Sequence, residues 1–149
     1  WENQGLEADT IIIAVGGGGL ISGAISWFQK RKKIVAVEPE NCPTLNVALK
    51  KGKPSNVSVS GIAASALGAK VIGDICFGLS KEHQLESLVV SDDEIKKAQK
   101  ILWEYHRIFV EPAGATALAA IIFGKYKPKA NEKLGILICG ANPNIIPEF

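Results

Sequence analysis

Four consecutive glycines, Gly16-Gly17-Gly18-Gly19, stand between an apolar β-branched run and a stretch with helical periodicity. Glycine lets a backbone turn tightly and bring several N–H groups close to one anion. A helix starting there adds roughly half a positive charge. Together these make a phosphate cradle that needs no basic side chain, and Leu20, directly after the glycines, is counted with it. The pattern is neither the G-x-G-x-x-G of dinucleotide-binding domains nor the G-K-[ST] of a P-loop. The alternative is a turn that merely connects, at the entropic cost of four glycines.

Three further residues have types suited to chemistry. Glu38 ends a short apolar run, where ligands of open α/β sheets bind, and is either a site carboxylate or a solvated edge. Glu111 precedes Pro112 and suits a helix N-terminus, where negative charge is favourable. Cys139 closes the last apolar run and is either a site thiol or an ordinary buried cysteine. His83 and His106 have no carboxylate or cysteine at triad-like positions.

These residues need elements to hold them. Thr10–Val15, Ile34–Glu38, Glu86–Val90 and Leu134–Cys139 read as buried strands. Helices are expected from Leu20 to the basic run Lys30-Arg31-Lys32-Lys33, where positive charge suits a helix C-terminus, from Thr44 to Lys50, from Gly68 to Lys81, from the Ser91–Glu94 capping box to His106, and from Pro112 to near Gly124. The third of these rests on Val71, Ile75 and Leu79, and residues 53–66 read as loop. Residues 1–5 look like the end of a helix. Strands alternating with helices predict an α/β fold of three layers, αβα, around a mainly parallel sheet.

Composition bounds the rest. The 149 residues, 47% apolar and 21% charged, fit one folded domain and exclude disordered, collagen-like and disulfide-scaffold classes. A net charge of +2 implies no nucleic-acid partner. Residues 10–28 carry no charge, but the central glycines argue against a membrane span. Three cysteines without a C-x-x-C suggest free thiols in a reducing cytoplasm. The chain opens on Trp1 and contains no Met, so a trimmed front end is expected.

The segments AVGGGGLISG, AVEPE, VSDDEI, EPAGATALAA and CGAN, in that order, resemble the serine/threonine dehydratases. These are pyridoxal-phosphate enzymes of the tryptophan-synthase-β fold group, and the resemblance covers about residues 1–142. It implies a partial large domain of that fold, with the cofactor phosphate on Gly16–Gly19. It also implies Cys139 near the pyridine nitrogen, with Glu111 and Asn142 near the ring. Glu38 matches a carboxylate that binds a divalent or monovalent cation in some members; those members add a backbone carbonyl at the position of Cys42 and an acidic side chain where Thr44 stands here. No lysine here follows Phe, so the Schiff-base lysine is expected in a segment outside the chain. The resemblance therefore implies elimination of water from an amino acid in the intact enzyme, with this part silent alone. A homo-oligomer, or association with the missing part, is expected. A standalone phosphate- or metabolite-binding module is the alternative. A nicotinamide dehydrogenase domain would leave EPAGA and CGAN unexplained.

Overall fold

The computed structural model describes residues 7–141, so the helix end expected at residues 1–5 and the predicted ring contact Asn142 lie outside the described residues. Strands β1 (Thr10–Ala14), β2 (Lys33–Pro39), β3 (Glu86–Val90) and β4 (Leu134–Ile136) form one parallel sheet in the order β3-β2-β1-β4. Helices α1 (Gly19–Phe28), α2 (Thr44–Lys51), α3 (Ala64–Leu67), α4 (Asp74–Glu82), α5 (Asp92–His106) and α6 (Pro112–Ile122) connect them.

Alternation along the strands sends side chains to two faces. Ile11, Ile13, Val15 and Ala36 pack with Ile21 and Ile25 of α1, Leu45 and Ala48 of α2, and Cys76 of α4. Ile12, Ala14, Val35 and Val37 pack with Ile95, Ala98 and Leu102 of α5 and the alanines of α6. The result is the expected three-layer αβα arrangement. From β1 through β2 to β3 the chain advances one way across the sheet, then β4 returns to the far side of β1. Right-handed crossovers turn that reversal into a change of face, which puts α5 and α6 opposite α1, α2 and α4. Such a reversal opens a crevice at the carboxyl ends of the two diverging strands, here β1 and β4.

The Ser91–Glu94 capping box forms as the sequence predicts: Glu94 N–H donates to Ser91 Oγ at 3.3 Å and Ser91 N–H to Glu94 Oε2 at 2.8 Å. Several expectations change. The helix expected to end in Lys30–Lys33 stops at Phe28, where Gln29 turns to a positive φ of +48°; a 3-10 turn follows over Gln29–Arg31, and Lys33 already opens β2. The helix expected over 68–81 is an irregular stretch followed by α4, and the short α3 forms at the end of the segment 53–66 expected to be loop. The expected apolar stripe is displaced by one residue: Ile72 and Cys76 are buried, whereas Val71 and Ile75 are exposed. Cys76 packs directly beneath Gly18, which sets the rotation of α4. The last strand ends at Ile136 rather than Cys139. Leu137 N–H still donates to Ile12 O at 3.1 Å, and the chain then leaves the sheet over the start of α6.

Candidate functional site

Because the sheet is parallel, Gly16–Gly19 after β1, Glu38 at the end of β2 and Cys139 beyond β4 all lie at its carboxyl edge. The glycine loop and the Cys139–Gly140 segment leave neighbouring strands, on either side of the crevice.

The four glycines have different reasons to be glycine. A Cβ on Gly16 would lie 3.0 Å from Leu67 Cα, and one on Gly18 2.6 Å from Cys76 Sγ. Gly18 also has φ +94°, left-handed backbone that side chains disfavour. Packing therefore explains these two. A Cβ on Gly17 or Gly19 would meet no atom within 4 Å among the described residues, so packing gives no reason for them. Among the described residues nothing accepts a hydrogen bond from the N–H groups of Gly16 to Leu20. The loop runs into α1, whose first N–H groups have no intrahelical acceptor. Unpaired donors, a helix dipole and open space where side chains would otherwise stand fit a phosphate group. Ser22 braces the turn, donating to Gly18 O through its hydroxyl at 2.6 Å and its N–H at 3.0 Å.

The EPAG and CG segments fit into each other. A Cβ on Gly114, in the first turn of α6, would lie 2.5 Å from Cys139 O and 2.7 Å from Gly140 O. Gly140 has φ +84°, and a Cβ there would collide with the Glu111 carboxyl. Glu111 is the N-cap residue of α6, yet its side chain makes no cap hydrogen bond. It lies against Gly140 instead, in contact range of the segment that carries Cys139. Burial pushes the Cys139 thiol up, and the Glu111 carboxylate adds to that, so the group is a neutral thiol at pH 7.

Glu38 is fully buried. Its Oε1 accepts from Leu45 N–H at 2.7 Å and lies 3.2 Å from Thr44 Oγ1; its Oε2 accepts from Asn46 N–H at 2.7 Å and Ser87 Oγ at 3.4 Å. Burial drives its pKa up to about 7 despite these donors. The cation expected at Glu38 is not supported. Both oxygens already face donors, Thr44 contributes no charge, and burial with nearby Glu38 and Asp92 pushes the Cys42 thiol up to about 11. Hard cations need charged oxygens, and no group of three or more His, Cys, Asp and Glu residues among those described could hold an ion.

From the sequence, Thr44 stands out only as a missing carboxylate, and Cys76 does not mark itself as part of the site. Thr44 supports the loop through Gly16 O, 3.2 Å from its hydroxyl, and Cys76 supports it from beneath Gly18. The only sequence signal for Thr44 was its place at the start of a helix close after Glu38. Nothing local marked Cys76.

A family model described as pyridoxal-phosphate dependent enzyme matches residues 1–140. The chain is 30% identical over 145 residues to phenylserine dehydratase of Ralstonia pickettii, covering 95% of this chain and 44% of the relative. It is 32% identical over 142 residues to L-threonine ammonia-lyase of Thermotoga maritima, covering 93% and 35%. Serine racemase of Dictyostelium discoideum superposes with a TM-score of 0.83 at 35% identity, covering 95% of this chain and 47% of that structure. The chain thus spans less than half the length of these relatives. No helix among the described residues is long and apolar enough to cross a membrane.

Proposed function

The chain belongs to the family of pyridoxal-phosphate dependent enzymes, and from that premise we propose that it is the phosphate-binding part of a serine/threonine dehydratase. Gly16–Leu20 holds the phosphate of pyridoxal 5'-phosphate, Cys139 faces the ring nitrogen, and Glu111 stands near the ring. The observation that carries this reading is the open space at Gly17 and Gly19 beside unpaired N–H groups, which packing does not require.

When bound, the cofactor supplies an electron sink for the α-carbon of an amino acid. The chain's own residues set its surroundings. The loop's N–H groups and the α1 dipole neutralise the phosphate charge. The neutral Cys139 thiol brings no negative charge to the ring nitrogen and so does not hold a proton there. That arrangement suits elimination rather than amino-group transfer.

The names of the relatives share a substrate class: phenylserine, threonine and serine all carry a hydroxyl on the β-carbon. The proposed reaction removes that hydroxyl and the α-hydrogen as water, and the released enamine, after tautomerising to the imine, takes up water to give a 2-oxo acid and ammonia. None of the lysines follows Phe, so the Schiff-base lysine is assigned to a segment outside these 149 residues. Exposed Leu20, Val71 and Ile75, around the N-terminal ends of α1 and α4, fit association with that segment or with a second copy.

Titration of the purified chain with pyridoxal phosphate, followed by its absorbance, tests the reading. Binding that inorganic phosphate competes away, without 2-oxo acid formation from serine, is the expected result. Binding that phosphate does not displace would overturn the loop assignment. 2-Oxo acid production by the chain alone would overturn the assignment of the lysine elsewhere.

A further inference from the structure

Glu38 and Thr44 form a buried connection between the end of β2 and the first carbonyl of the glycine loop. From this we infer that the pair is a hydrogen-bonded strut that positions the loop, and that it does so without a cation. The inference rests on the phosphate-binding reading for what the loop holds.

The strut begins with Glu38, anchored by Leu45 N–H and Asn46 N–H at the start of α2, each at 2.7 Å. Ser87 of β3 donates to Glu38 Oε2 at 3.4 Å, and Asn46 Nδ2 donates to Ser87 O and Oγ at 3.1 Å each. The carboxylate is thereby tied to β3 and α2 as well as to its own strand. Thr44 Oγ1 stands 3.2 Å from Glu38 Oε1 and 3.2 Å from Gly16 O; its single proton goes to Gly16 O when the protonated Glu38 carboxyl donates to Thr44 Oγ1. On its other side Gly16 is closed in by Ala66 and Leu67 of α3, with no room for a Cβ. Gly16 is therefore held from both sides, by a hydroxyl and by backbone.

The consequence reaches the donors through the planar peptide. The C=O of Gly16 and the N–H of Gly17 share one trans amide plane and point to opposite sides of it. Gripping the carbonyl therefore aims the N–H. Gly17 is a residue whose surroundings are open, so its N–H is one of those available to an anion. Thr44 is a positioning residue in this sense, and Glu38 positions it in turn. A cation at Glu38 would have to displace donors that already face both oxygens, with no charged oxygen offered by Cys42 or Thr44 in return.

The test compares the wild-type chain with Thr44→Val and Thr44→Ser by amide hydrogen exchange and by titration with inorganic phosphate. In Thr44→Val the Leu45 amide, which donates to the Glu38 oxygen facing the hydroxyl, should exchange about tenfold faster and phosphate affinity fall about tenfold, the factor that goes with one lost hydrogen bond. Amides of α5, on the opposite face of the sheet, should keep their rates. Thr44→Ser restores both readouts, and a chelator changes neither. Wild-type behaviour in Thr44→Val, or a serine variant as impaired as the valine variant, would overturn the strut. Magnesium binding that disappears in Glu38→Gln would overturn its independence of a cation. If the wild type binds no phosphate while the exchange pattern holds, the ligand reading of the loop fails and the strut stands.

Discussion

Two glutamates at opposite ends of the sheet accept comparable sets of hydrogen bonds and titrate far apart. Glu132, just before β4 at the amino end, accepts from Thr10 Oγ1 at 2.5 Å, Tyr126 OH at 2.6 Å and Lys129 N–H at 2.7 Å. The Thr10 hydroxyl leads these in holding its carboxyl down to about 2. Glu38, at the carboxyl end, is driven up to about 7 because its burial outweighs its donors. The difference is water: Glu132 is partly exposed, whereas Glu38 is sealed between β2, β3 and α2. The amino end is closed by paired groups. Besides Glu132, Lys33 pairs with Glu86 at 2.7 Å, and Asp9 exchanges hydrogen bonds with Lys133. The carboxyl end keeps unpaired donors in the glycine loop, and there the chain invests buried polar contacts in holding the loop's shape.

Removing the buried carboxylate should have the largest effect. Glu38→Ala leaves Leu45 N–H, Asn46 N–H and the Ser87 hydroxyl without their acceptor and Thr44 Oγ1 without its carboxyl partner, and is expected to cost about 3 kcal/mol in chemical denaturation. Its titration has a definite sign. The folded pKa of about 7 lies above the ordinary glutamate value of 4.5, so the contribution is full below pH 4.5 and is lost as pH rises through 7. That window spans about 3 kcal/mol by linkage. Glu38→Gln, close in shape to the protonated form, should flatten this slope. An unchanged slope in the variant would mean that water reaches Glu38 and would erase the contrast between the two ends.

Glu132→Gln is the smaller perturbation, about 1 kcal/mol at pH 7, the scale of one net hydrogen bond. Here the folded pKa is depressed, so the contribution is present above pH 4.5 and is lost as pH falls through about 2. The wild type should therefore lose stability on the acid side through Glu132, and the variant should lose less there. A variant as acid-sensitive as the wild type would show that the Thr10–Tyr126 cluster does not hold the charge.

Much of this architecture was legible in the chain. The β-branched run before Gly16 and the periodicity after it placed the loop between strand and helix, because both signals are local. The capping box at Ser91 was equally local. What escaped depends on contacts between distant residues. Gly114 and Gly140 are glycines because each gives way to the other's segment, which neither sequence neighbourhood records. The stripe at Val71, Ile75 and Leu79 has sound helical spacing, but Gly18 fixes which face of α4 turns inward by seating Cys76. Glu38 was visible as a strand-end carboxylate. Its donors were not, because backbone N–H groups carry no sequence signature.

The gentlest change tests the open end most directly. Gly17 lies outside the left-handed region, and its missing side chain faces open space, so Gly17→Ala should shift stability by no more than about 0.5 kcal/mol. If that space is where a phosphate sits, the added methyl occupies it, and affinity for inorganic phosphate should fall more than about tenfold, well beyond the stability change. Binding without stability is a dissociation that the amino end cannot show, since its donors already have acceptors within the chain. Calorimetric titration of the variant beside its denaturation curve reads both quantities on one sample. Unchanged phosphate affinity with unchanged stability would mean that Gly17 lines no ligand, and the two ends of the sheet would then differ in burial alone.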